Sequence, residues 1–205
     1  MVQRKGPDVS LQTKLIGASW NWLGWLVLSA FSLNAELKAI REVVRYEVSG
    51  STGAELRAEM NRLGPVHRQS GDRHDGYTDW KISCRYDYEL KPGQCRVLNF
   101  VVEMEVRITL PRWKDIAEAP APLAANWRRY LEALQRHEDG HFELAKAVAQ
   151  NLDRQMRSVG MYTTAAALRA EVDRLVDAAS ATCSQLQIAY DKDNNHGRNT
   201  GVRFP

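Results

Sequence analysis

The stretch L-N-F-V-V-E-M-E-V-R-I-T-L-P, residues 98–111, decides the fold class. Leu98, Phe100, Val102, Met104, Val106, Ile108 and Leu110 fall on one side of a period-two pattern, with Glu103, Glu105 and Arg107 on the other. That alternation marks a strand with one face in a core and one in water. Pro111 is expected to end it. Upstream, Trp80, Ile82, Cys84, Tyr86 and Tyr88 alternate with Lys81, Ser83, Arg85 and Asp87, and Lys91-Pro92-Gly93 supplies a turn. The two segments form a hairpin. Further upstream, V-V-R-Y-E-V (43–48) reads as another strand. Thr52-x-x-Glu55 is a capping box opening a helix that Gly64-Pro65 closes. The loop from Val66 to Gly76 is polar and ends in G-D-R-H-D-G-Y.

Downstream of Pro120 and Pro122 the period becomes helical. Leu123, Trp127, Leu131, Leu134, Leu144, Val148, Leu152 and Met156 recur at three- and four-residue steps or their multiples. Gly160 breaks the pattern, and Leu168, Val172, Leu175, Ala179, Cys183, Leu186 and Tyr190 mark a second helix. Strands first and helices afterwards read as α+β, a small antiparallel sheet packed on a long antiparallel helical hairpin. The chain's 205 residues suit one domain, placed at 43–205.

Residues 1–42 read as a signal peptide or N-terminal membrane anchor. Arg4, Lys5 and Lys14 precede an uncharged run, Leu15 to Ala35, that holds Trp20, Trp22 and Trp25. The run is about the ~20 residues that span a bilayer, so possible membrane anchoring through residues 15–35 stays open beside cleavage at Ala30-Phe31-Ser32 or Leu33-Asn34-Ala35. Either way the domain is exported, periplasmic or secreted or held at the cytoplasmic membrane. The net charge is +3, most of it in the leader, which argues against a nucleic-acid partner.

In the first long helix, His137 and His141 fill the gap in the apolar stripe between Leu134 and Leu144. Residues four apart are neighbours, about 6 Å between Cβ atoms, so both imidazoles can reach one metal ion. Glu138 is rotated about 100° from His137, where it can reach a bound water without being a ligand. R-H-E-D-G-H thus holds the H-E-x-x-H arrangement: Zn²⁺ on two histidines and a third ligand, with Glu138 as general base for a zinc-bound water.

The third ligand is not explicit. Leu144 and Ala147 exclude an H-E-x-x-H-x-x-G-x-x-H extension. A hairpin turning about Gly160 pairs residues whose numbers sum to about 321. Glu171 then lies too far along the axis, Asp173 fares little better, and Asp177 falls near Leu144. The second helix is expected to end at Tyr190, so five residues of coil can return His196 to the metal. His196 is the expected third ligand, ahead of Asp177. The same pairing sets Cys183 beside His137. A hairpin centred on Lys91-Pro92 sets Cys84 opposite Asn99 and Cys95 opposite Tyr88, so the expected disulfide is Cys95–Cys183, with Cys84 a buried thiol. His67 and His74 are expected to be exposed, and Tyr190 and Tyr77 are candidates for an oxyanion or substrate contact.

G-D-R-H-D-G-Y-T-D-W, I-T-L-P-R-W, R-H-E-D-G-H and the terminal H-G-R-N-T-G-V-R-F-P together resemble a bacterial family of predicted secreted zinc-dependent proteases, domain of unknown function 922. The resemblance runs from about Tyr46 to Pro205. It implies His137, Glu138 and His141 as zinc and catalytic residues and matches His196 to the family's tail histidine. His74 stands where the pattern has an aromatic. The expected function is an exported zinc metallopeptidase acting on a peptide or protein. The alternative is a non-catalytic envelope protein whose metal is structural or lost and which binds a partner.

Overall fold

The computed structural model describes residues 35–67 and 71–204; apart from Ala35, the uncharged run and its cleavage candidates lie outside them. In chain order come β1 (Ala35–Val48), α1 (Gly53–Leu63), β2 (Tyr77–Lys91), β3 (Gln94–Trp113), α2 (Ala121–Arg157) and α3 (Ala165–Asn194). Single 3-10 turns occupy Ile116–Glu118 and Arg198–Thr200. Among these elements no helix is long and apolar enough to cross a membrane.

β3 is the centre of a three-stranded sheet ordered β1-β3-β2. β2 runs antiparallel to it, as the hairpin required. β1 runs parallel, from Ala35↔Phe100 to Val48↔Trp113, so the α+β sheet is mixed rather than antiparallel. A parallel pair needs a crossover, and α1 with β2 provides one. β1 also takes in residues 35–42, ahead of the expected domain start. Pro111 does not end β3. Pairing with β2 stops at Tyr77↔Thr109, so Pro111 has only β1 beside it and its missing N–H breaks no bond on the β2 side.

The hairpin register differs from expectation. Lys91 pairs with Gln94 across a Pro92-Gly93 loop whose glycine has φ 73°, and the register shifts between Asp87 and Tyr88. Leu98 is the extra residue. This bulge reverses which residues face inward: Cys95 and Val97 are buried on one side of it and Phe100 on the other, while Leu98 is exposed. Cys84 therefore faces Val102, and Cys95 faces Leu90.

One sheet face is covered. Phe100, Val102, Met104, Val106, Ile108 and Leu110 bury against α2, which presents Trp127, Tyr130, Leu134, Val148, Leu152 and Met156. The other face carries cross-strand ion pairs such as Arg85–Glu103 (2.6 Å) and Arg107–Glu42 (2.9 Å), exposed and worth little individually. α1 is capped as expected: Thr52 Oγ1 accepts from Glu55 N (3.2 Å), while the Glu55 carboxylate returns to Ser51 N (2.7 Å).

The α2–α3 pairing is displaced from a turn at Gly160. Residues 158–164 detour to the sheet, where Tyr162 and Cys95 exchange backbone hydrogen bonds of 2.6 and 2.8 Å, before Thr164 caps α3. Facing residues then sum to 328 (His141 with Gln187, His137 with Asp191), not 321. That slip of seven residues is about 10 Å along the axis. α3 also continues to Asn194 instead of stopping at Tyr190.

The same geometry removes the Cys95–Cys183 bridge. Cys95 is bonded beside the start of α3, whereas Cys183 lies eighteen residues beyond Ala165, about 27 Å along the helix. A disulfide needs Cα atoms within about 7 Å. All three thiols are free, and burial pushes Cys84 up to about 12 and Cys183 up to about 11.

Candidate metal centre

His137 and His141 project from the middle of α2 toward the facing turns of α3, and both are buried. Their Nε2 atoms lie 3.3 Å apart. Asp191 Oδ1, from α3, lies 3.2 Å from His137 Nε2 and 3.1 Å from His141 Nε2. These three residues form a group able to hold a metal ion. Donors around a tetrahedral Zn²⁺ with bonds of about 2.0–2.1 Å stand about 3.3–3.4 Å apart. The observed triangle fits that spacing, and two imidazoles with one carboxylate form a suitable donor set.

Asp191 is the residue that sequence reasoning missed. His196 is close but is not one of the three converging residues: its exposed ring places Nδ1 3.7 Å from Asp191 Oδ1. Asp177 is exposed, away from the site. The displaced helix register accounts for both findings, because it brings Asp191 level with His137.

Neighbouring groups fix the donors. Gln187 holds His141 at two points: its Oε1 contacts Nδ1, and its Nε2 donates to the His141 carbonyl (3.0 Å). A proton on Nδ1 donated to Gln187 leaves the Nε2 lone pair for the centre. Tyr190 stacks on His137, with ring centroids 5.3 Å apart and planes 13° apart, and meets His141 edge-on at 4.9 Å. Its hydroxyl occupies the space over Gly140, where a Cβ would come within 2.1 Å of it. His137 Nδ1 is buried without a hydrogen-bond partner.

Glu138 is buried beneath the cleft, and the start of β2 closes on it. Thr78 Oγ1 donates to Glu138 Oε2 (2.7 Å), and a Cβ at Gly76 would meet Glu138 Oε1 at 2.7 Å. Burial raises the Glu138 carboxyl above its ordinary range, against the pull of His141, Thr78 and His137. Burial would also raise Asp191, but hydrogen bonds and charge from His137 and His141 hold it well below the usual carboxylate range. For His141 burial acts downward, and Asp191 and Glu138 more than offset it, so its imidazole is raised.

The loop before β2 is pinned by Asp75. Arg57 Nη1 donates to both of its carboxylate oxygens (2.7 and 2.8 Å), Tyr130 donates to Oδ2 (2.7 Å), and Tyr46 donates to its carbonyl (2.8 Å). Arg57 Nη2 also donates to the Phe204 carbonyl (3.1 Å), and the Phe204 ring packs edge-on against Trp127 at 5.2 Å. The G-D-R-H-D-G-Y-T and H-G-R-N-T-G-V-R-F segments thus clamp the centre from two sides. Gly197, at φ 77°, lies against His137, where a Cβ would fall 3.0 Å from its ring.

The centre opens into a cleft of about 360 Å³. Tyr77 lines it and meets His67 edge-on at 5.5 Å. His67 and His74, expected to be exposed, are half-buried in its wall, because the Val66–Arg73 bridge folds their loop inward.

The sequence profile of a bacterial protein family of unknown function, DUF922, matches residues 43–197, and the chain belongs to that family. No curated protein and no solved structure matches it.

Proposed function

We propose that this member of DUF922 is an exported zinc-dependent peptidase, with the metal held by His137, His141 and Asp191 and Glu138 as general base. The observation that carries the reading is the triangle of donors 3.1–3.3 Å apart, beside a buried glutamate, at the bottom of an open cleft. Three protein donors converge among the described residues, and a site with three ligands leaves a position for water and substrate, whereas structural zinc is closed by four. Export is proposed on the basic leader and the uncharged run from Leu15 to Ala35.

Bound Zn²⁺ would supply Lewis acidity to a water molecule and to the scissile carbonyl. Glu138 accepts a proton from that water as its oxygen attacks the carbonyl carbon. It then passes the proton to the departing amide nitrogen as the C–N bond breaks, leaving an amine and a carboxylic acid, whose own proton is then lost to give ammonium and carboxylate. Burial raises the Glu138 carboxyl, the direction that strengthens it as a base. Thr78 keeps one Glu138 oxygen engaged and leaves the other for the water. The Tyr190 ring, stacked on His137, holds that imidazole in orientation, while its hydroxyl lies over Gly140.

The test is metal content and peptide hydrolysis of the exported domain. Glu138→Gln should keep zinc and lose about 10²–10⁴-fold in turnover, because an amide cannot accept the proton. Wild-type turnover in that variant, or no zinc in the parent, removes the proposal.

A further inference from the structure

Beyond the metal donors, Arg73, His74, His196 and Arg198 line the cleft. The acids that share it are already engaged. Asp75 is held by Arg57 and Tyr130, Glu138 by Thr78, and Asp191 by His137 and His141. The two arginines are not matched in the same way. Arg73 uses Nη1 on the Gly64 carbonyl (2.6 Å), a neutral acceptor. Arg198 lends its own carbonyl to Arg203 (3.2 Å), and no described residue pairs with its guanidinium. An incoming ligand therefore meets two arginines and the imidazoles of His74 and His196, of which only His196 stands near one of the cleft's acids, 3.7 Å from Asp191 Oδ1.

The backbone that presents this wall is strained in its favour. Asn195 and His196, two successive non-glycine residues, both sit at φ 52°, in the left-handed region that side chains disfavour. His196 N donates to the Asp191 carbonyl (2.8 Å), and Gly197 N donates to Asn194 Oδ1 (2.6 Å), fixing the reversal. The chain then passes Arg198 and is anchored by Phe204 among Trp127 and Tyr130. Without that reversal α3 would run on past the cleft.

We infer that Arg73, His74, His196 and Arg198 form a carboxylate subsite, and that the peptide bond cleaved lies beside a carboxylate. The carboxylate comes from an Asp or Glu side chain or from a peptide C-terminus. Guanidinium groups suit it because their N–H forks match its two oxygens and the bonds are charge-assisted. The inference rests on the peptidase reading and names its substrate class.

Zinc-loaded Glu138→Gln protein, which binds without turnover, is titrated with short acetylated alanine peptides. One is amidated and neutral, one is amidated with a central glutamate, and one has a free C-terminus. Binding of a carboxylate peptide should exceed that of the neutral peptide by at least about tenfold. Preference for the glutamate peptide assigns the carboxylate to a side chain, and preference for the free C-terminus assigns it to the chain end. Adding Arg198→Glu should remove the discrimination, with zinc content measured alongside. Equal binding of neutral and acidic peptides, or discrimination that survives both Arg198→Glu and Arg73→Gln, overturns the subsite. Wild-type protein that cleaves neutral and acidic peptides equally retains the peptidase and loses the subsite. Binding of acidic peptides with no cleavage of any peptide does the reverse.

Discussion

The two ends of the α2–α3 pair follow the same packing geometry with opposite chemistry. Near the connector, Val148, Leu152 and Met156 share a buried cluster with Leu168, Val172 and Val176. At the other end, the same helix faces set His137 and His141 against Gln187, Tyr190 and Asp191, with Glu138 turned to the start of β2. Removing apolar area from water stabilises the first end. The second must offset the desolvation of ionisable groups with hydrogen bonds and charge pairs, an exchange that rarely favours stability over an apolar alternative. The polar end is therefore expected to carry chemistry while the apolar end holds the helices in register.

That division can be broken experimentally. Leu152→Ala, at a fully buried position, should cost about 2–5 kcal/mol in chemical denaturation. Zinc affinity of the folded fraction should not change. A loss of affinity in that variant would show that the ends are coupled. Gln187→Ala should have the opposite profile. Releasing His141 Nδ1 should weaken zinc binding about 10–100-fold, read by competition with a chelator. Unchanged affinity would mean that Gln187 does not set the His141 tautomer.

A smaller effect concerns pH, and it should be confined to the polar end. In the metal-free protein His141 and Glu138 are raised, so their contribution is fully present below their unfolded values. It is lost as pH rises through the folded ones. Asp191 is depressed, so its contribution is present above the unfolded carboxylate value and lost as pH falls. Zinc requires neutral imidazoles. The rise in melting temperature caused by zinc should therefore widen between about pH 5.5 and about pH 8. A rise that is largest at the acid end would contradict the assigned ligands.

Much of this arrangement was legible in the sequence because its signals are local. The alternation in 98–110 and the histidines in the α2 stripe depend only on residues a few places apart. What was not legible depends on partners distant in sequence. The parallel pairing of β1 and the bulge at Leu98 leave no local pattern. Asp191 was missed because the helix register was inferred from Gly160 while the chain detours to Cys95. A signal was present: Cys183, Gln187 and Asp191 follow at four-residue steps, interrupting the α3 stripe with polar groups as His137 and His141 interrupt that of α2. Taking Leu186 rather than Gln187 as the inward residue hid it, and Leu186 is exposed.

Zinc binding by Asp191→Ala and His196→Ala, measured beside the parent protein by chelator competition, tests the centre most directly. Asp191→Asn serves as the isosteric control. Loss of zinc in both Asp191 variants, with near-parental affinity in His196→Ala, is the predicted result. Retained zinc in the Asp191 variants with loss in His196→Ala would contradict the account and return the third position to the tail histidine.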